Sequence, residues 1–311
     1  MRKVPALREG DTIAFVSPSS QSSRESVEKA LKITEDMGFH VKVSENCHGF
    51  GEYPGTLDEA RAEEINRAFL DTDIRGIFCI GGGYGAIRLP GLIDTDSAFR
   101  NPKVFLGYSD STILHMLFNR PGGFITFHGP MPVSDFSRGT FPGYVRESLL
   151  KAVCSTKPLG EIVPFEGAPP VETLVPGRAE GKLAGGNLSM VCSLLGTPWE
   201  IDARGKILIL EETGEPVYMI DRMLTQLRIA GKLEAAAGIV LGQFTHILPG
   251  KPKEPFTITD VFETVLAPVG KPTLINGCFG HDVRKATIPL GARAVIDGAA
   301  STLTVLEAGV E

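Results

Sequence analysis

Several absences narrow this sequence before any motif is considered. No run approaches the roughly 18 unbroken apolar residues that a spanning helix needs, so no transmembrane segment is expected. The start MRKVPALREG is basic, but no apolar stretch follows it, so no secretory leader is expected. The five cysteines (Cys47, Cys79, Cys154, Cys192 and Cys278) are odd in number and scattered, with no C-x-x-C pair. They read as reduced thiols of a cytoplasmic protein, used mainly for packing. There is no basic stripe, and the formal net charge is -6, which excludes nucleic acid and anionic membrane as natural partners. The chain has no H-E-x-x-H, no paired Cys/His spacing and no EF-hand loop, so no metal site is expected. There is no internal repeat or low-complexity stretch.

The 311 residues that remain are 42% hydrophobic and 22% charged, the balance of a globular chain large enough for two domains. TIAFV (12–16) is an apolar run that ends in SPSSQSS, a strand leading to a turn and a helix start. Residues 24–37 have helical periodicity that Gly38 stops, and HVKVS is a second strand. Thr56 and Glu59 form a T-x-x-E capping box ahead of the next helix. IRGIFCI, VFLGY and FITFHGP are strands separated by helical segments, and their continuous apolarity predicts a parallel sheet covered on both faces. Residues 155–180 are rich in Pro and Gly, as a linker or connecting strands would be. Beyond them KILILEE and GIVLGQF read as strands around a helix, and the tail KATIPLGARAVIDGAASTLTVLE as antiparallel strands. The expected organisation is an α/β domain over 1–155, a linker over 156–180 and a second domain over 181–311.

In KVFLGYSDSTILH a buried strand runs into Ser109 and turns at once into a helix, with Gly107 two residues before and Ser111 two residues after. Small residues at both places let backbones approach at a corner that exposes the hydroxyl, as in the G-x-S-x-G nucleophile elbow. A helix cap would explain the serine equally well. GGGYGA (81–86) also follows a strand. It reads as a tight turn, as a set of backbone N–H donors for an oxyanion, or as a nucleotide loop, although it fits neither G-x-G-x-x-G with a following acid nor G-x-x-x-x-G-K-[ST]. A serine nucleophile needs a base, most often histidine. Of the six histidines, His115 lies more than a turn along the helix that leaves Ser109, whereas His128 and His281 remain candidates. The base in turn needs a carboxylate to orient it, and Glu211 and Glu212 end a buried strand where site-bearing loops begin. Asp221, Arg222 and Arg228 read as a solvated helix face or an interface.

Together these segments resemble the LD-carboxypeptidase family of serine peptidases, which includes muramoyl-tetrapeptide carboxypeptidases and microcin C self-immunity peptidases. The resemblance covers nearly the whole chain. It is carried by VSPSS (16–20), GGYGAIRL (82–89), FLGYSDST (105–112), TFHGPM (126–131), GGNLSMVCSLLGTPWE (185–200), ILILEETGEPVYMIDRML (207–224) and GHDVRKATIPLG (280–291). It implies a flavodoxin-like N-terminal domain and a smaller β-rich α/β C-terminal domain, with the active site in the interdomain cleft. Ser109 is then the nucleophile, His281 the base and Glu211 its orienter, matching the first acid of the family's E-[DE] pair. The oxyanion donors are the N–H groups of Gly83 and Asp110, and Gly82, Tyr84, Gly85 and His128 are substrate-binding candidates. Gly81 stands where many members have arginine. The implied activity is hydrolysis of the L,D-amide before a C-terminal D-alanine in murein tetrapeptides, by a cytoplasmic homodimer that needs no cofactor or metal. The alternatives are hydrolysis of aminoacyl-nucleotide amides and non-catalytic binding of a ligand between two lobes.

Overall fold

The computed structural model describes residues 1–49, 57–137, 141–248 and 256–311. Contacts divide the chain into two units. One comprises Met1–Lys157, Ala286–Gly291 and Ala308–Glu311; the other comprises Pro158–Lys285 and Ala292–Glu307.

The first unit is built on β1 (Thr12–Val16), β2 (His40–Val43), β3 (Ile74–Cys79), β4 (Val104–Gly107) and β5 (Thr126–His128). They pair in parallel in the order β2-β1-β3-β4-β5, which is the flavodoxin-like arrangement. The helices between them are α1 (Arg24–Glu35), α2 (Asp58–Leu70), α3 (Thr95–Arg100), α4 (Thr112–Phe118) and α5 (Gly143–Cys154). Helix α1 begins where Ser23 accepts a hydrogen bond from the Ser26 N–H and ends just before Gly38, whose φ of +96° suits glycine. The expected capping box lies partly outside the described residues, because Thr56 is not among them; α2 follows Leu57 with no side-chain cap. Strands β3 and β4 are buried almost throughout. Beside them Phe69, Phe105, Phe118 and Phe124 pack with ring centroids 4.9–5.9 Å apart, each burial contributing roughly 2–3 kcal/mol.

The second unit holds an eight-stranded mixed sheet. Its strands are β6 (Gly160–Glu161), β7 (Glu172–Val175), β8 (Arg178–Asn187), β9 (Lys206–Thr213), β10 (Gly238–Thr245), β11 (Thr273–Ile275), β13 (Arg293–Asp297) and β14 (Thr302–Val305). Strands β8, β9, β10 and β11 run parallel, and antiparallel strands flank them. Helices α6 (Leu188–Ser193) and α7 (Val217–Ile229) follow β8 and β9. The Pro/Gly-rich stretch before residue 180 contributes β6 and β7 to this sheet.

The tail departs from expectation in one respect. Of its strands, only β13 and β14 form a hairpin in the second unit. The segment around IPL forms β12 (Ile288–Leu290), which pairs antiparallel with β5 at the edge of the first sheet. Alternating apolarity predicts a strand but does not choose its sheet.

Candidate active site

In the first unit the order of strands reverses between β1 and β3, and ligands of such sheets bind beyond the carboxyl ends of the strands at that point. The loops that follow β1, β3 and β4 carry Ser17–Ser20, the glycine run and Ser109. Ser109 has φ +61°, in the left-handed region that non-glycine residues rarely adopt. Extended Tyr108 precedes it, and a short 3-10 turn at Ser109–Ser111 leads into α4. Ser111 occupies the N-cap position of α4, and no side chain caps that helix, so Ser109 does not serve as its cap.

The small residues at this corner have identifiable neighbours. A Cβ on Gly107 would lie 2.8 Å from the Ser111 Cβ, and a Cβ on Gly82 would lie 3.0 Å from the Ser109 Cβ and Oγ. Gly83 and Gly85 have φ of +107° and +135°, so the glycine run is a turn that needs glycine. It opens into only the three-residue 3-10 helix Ala86–Arg88, not the long helix of a nucleotide loop. At Gly81 an added Cβ would meet only the Ser134 Oγ, 3.1 Å away.

One buried carboxylate ties these loops together. Asp110 Oδ2 accepts from the Ser19 Oγ at 2.6 Å and from the Ala86 N–H at 2.8 Å. Burial pushes its pKa up, while the bonds from Ser19 and Ala86 and the charge of Arg61 oppose that rise. Arg61, itself fully buried, donates to the Pro18 carbonyl and pairs with Asp58. The Asp110 N–H lies in the first turn of a helical segment, where donors lack intrahelical partners.

His115 is buried in α4 and spends both ring nitrogens on other partners. Its Nε2 donates to the Gly107 carbonyl at 2.8 Å and its Nδ1 accepts from the Thr126 hydroxyl at 2.8 Å. Burial lowers its pKa to about 4, so the ring is a neutral strut beneath the elbow. His128 is buried at the end of β5, its ring edge-on to Tyr108 at 5.9 Å, whereas Tyr84 is exposed.

In the second unit the adjacent acids of β9 point to opposite faces, as strand geometry requires. Glu211, with 0% exposure, accepts from the His281 Nδ1 at 2.6 Å through its Oε2. That bond fixes the tautomer and leaves Nε2 as the basic nitrogen. A Cβ on Gly280 would lie 3.1 Å from the Glu211 Cβ, so glycine before the histidine allows the two segments to approach. Glu212 accepts from the Asn187 Nδ2, the Ser189 N–H and Oγ, and the Thr213 N–H at 2.6–3.0 Å. It anchors the start of α6.

Burial pushes the pKa values of the Cys79 and Cys192 thiols up to about 12. Among the described residues no group of three or more His, Cys, Asp or Glu side chains is placed to hold a metal ion, and no helix is long and apolar enough to cross a membrane.

Residues 13–129 match the model of the LD-carboxypeptidase N-terminal domain, and residues 180–296 that of the C-terminal domain. The "Probable murein peptide carboxypeptidase" of Bacillus subtilis (strain 168) is 37% identical over 311 residues, spanning 99% of this chain and 95% of that protein. The chain belongs to the LD-carboxypeptidase family. Among solved members, the muramoyltetrapeptide carboxypeptidase from Oxalobacter formigenes superposes with a TM-score of 0.83 at 27% identity, covering 94% of this chain and 97% of that one. The microcin C7 self immunity protein superposes with a TM-score of 0.89 over the full length of both chains, at 23% identity, a likeness of fold.

Sequence reasoning missed the carboxylate of Asp110, valued there only for its N–H, and the roles of Ser19 and Arg61. A buried polar cluster spread over residues 18, 19, 61, 86 and 110 has no local period to reveal it. It also missed Gln243, which lies beside the His281 loop.

Proposed function

We propose that this chain is a serine carboxypeptidase that hydrolyses the L,D-amide before the C-terminal D-alanine of murein tetrapeptides in the cytoplasm, with Ser109, His281 and Glu211 as its triad. The observation that carries the reading is the 2.6 Å bond between a fully buried Glu211 carboxylate and the His281 Nδ1. A carboxylate removed from water to hold one imidazole nitrogen is what a general base requires of its orienter. The strained, small-residue corner at Ser109 supports the same reading.

In this mechanism the Ser109 Oγ attacks the amide carbonyl carbon as the His281 Nε2 takes its proton. The N–H groups of Asp110 and Gly83 hold the oxyanion, and loss of one such donor costs about 3–4 kcal/mol. Collapse breaks the C–N bond, and His281 returns the proton to the departing D-alanine nitrogen. Water then attacks the acyl-serine with His281 again as base, releasing the tripeptide carboxylate and restoring Ser109. Glu211 stabilises the imidazolium at each protonation without itself taking the proton.

The test is mass spectrometry of L-Ala-γ-D-Glu-meso-diaminopimelyl-D-Ala incubated with the purified protein, its Ser109→Ala variant, and an aminoacyl-sulfamoyl adenosine as competing substrate. The parent is expected to release D-alanine and the variant to remain folded without turnover, and a serine-directed fluorophosphonate should label only the parent. Cleavage of the adenosine compound with the tetrapeptide untouched overturns the carboxypeptidase assignment. Turnover by Ser109→Ala within about tenfold of the parent overturns the nucleophile.

A further inference from the structure

We propose that Gln243 is a positioning residue that holds His281 against Glu211, an inference that rests on His281 being the base. Gln243 grips the histidine loop on both sides of the ring. Before it, the Gln243 N–H donates to the Phe279 carbonyl at 2.8 Å. After it, the Gln243 Oε1 accepts from the Asp282 N–H at 3.0 Å and its Nε2 donates to the Arg284 carbonyl at 2.8 Å. Only one orientation of the amide satisfies both side-chain bonds, one group accepting and the other donating. Gly280 brings the loop close enough: a Cβ there would lie 3.1 Å from both the Gln243 Cβ and its carbonyl oxygen.

The geometry of β10 explains why a strand residue faces this loop. Its pairing with β9 shifts register between Leu241 and Phe244, and such irregularities re-aim side chains beside functional sites. Gln243, Cys278 and Asp282 border a cavity of about 400 Å³ that Phe165 and Phe262 also line. The Asp282 carboxylate accepts from the Arg284 N–H at 2.9 Å in a local surface turn, and the Arg284 guanidinium lies 3.9 Å over the Phe165 ring. The loop is thus a hydrogen-bonded staple with Gln243 as its crosspiece.

Gln243→Leu keeps the volume and removes both side-chain bonds. It is expected to lower kcat for D-alanine release roughly tenfold to a hundredfold, the scale of a small misplacement of a catalytic group, with KM unchanged. Gln243→Glu keeps the acceptor for Asp282 and loses the donor to Arg284, so its kcat should lie between Leu and the parent. The readout independent of turnover is proton NMR. The Nδ1 proton shared with Glu211 should give a downfield resonance that is absent in His281→Ala and shifted or broadened in Gln243→Leu. Parental kcat with an unmoved resonance in Gln243→Leu overturns the proposal. Should that variant not fold, Gln243→Glu decides in the same way by its kcat and resonance. Full activity in His281→Ala overturns the triad instead, and the resonance still reports whether Gln243 holds the ring.

Discussion

Replacing Glu212 by glutamine keeps the shape of the side chain and turns one of its two oxygens into a donor. In the native protein Oε1 accepts from the Asn187 Nδ2 and the Thr213 N–H, and Oε2 accepts from the Ser189 N–H and Oγ. Ser189 can rotate its hydroxyl to accept from the new amide, but a backbone N–H stays opposed to it in either orientation. The carboxylate is 2% exposed, so water offers no replacement. An unsatisfied buried donor costs about 1–3 kcal/mol, and the remaining bonds lose their charge assistance, for a total of about 2–4 kcal/mol. Spread over a unit of this size, that should lower Tm by roughly 5–15 °C. Turnover measured well below the transition should be unchanged. Glu211→Gln should do the opposite, holding Tm near the parent and cutting kcat by about 10³–10⁴ through the wrong histidine tautomer. Thermal melts by near-ultraviolet circular dichroism, paired with D-alanine release, separate the two. A parental Tm for Glu212→Gln, or a collapse of its kcat beside a silent Glu211→Gln, would refute the assignment of roles.

Two further expectations follow from the first unit. Gly82→Ala places a Cβ 3.0 Å from the Ser109 Cβ and Oγ; it should displace the hydroxyl and lower kcat about tenfold or more with Tm nearly unchanged, and parental kcat would contradict the close approach. His115, whose pKa falls from 6.5 to about 4 in the fold, contributes stability fully present above pH 6.5 and lost as pH drops toward 4, up to about 3 kcal/mol; urea unfolding at stepped pH should show this loss in the parent and not in His115→Gln, and identical slopes would refute it.

The α/β alternation of the first unit was legible because most of its strands are short apolar runs separated by helical segments, and the corner at Ser109 could be read from local spacing alone. Glu211 and His281 were singled out through family resemblance. From residue types alone Glu211 could not be told from Glu212, since strand alternation separates their faces without saying which face meets a histidine 70 residues away. Gln243 was illegible for a similar reason. A glutamine in an apolar strand carries no signal until a register shift turns it toward a distant loop. The placement of β12 depended on which sheet edge was vacant, and periodicity does not record that.

The left-handed backbone at Ser109 bears on how such a chain can evolve. A side chain at φ +61° costs about 1–2 kcal/mol that glycine would not incur. Serine is therefore the less stable choice at this position, and in the proposed mechanism the substitution that relieves the backbone also removes the nucleophile. A lineage released from selection for hydrolysis could gain stability by losing this residue, leaving a folded relative with the corner intact and empty.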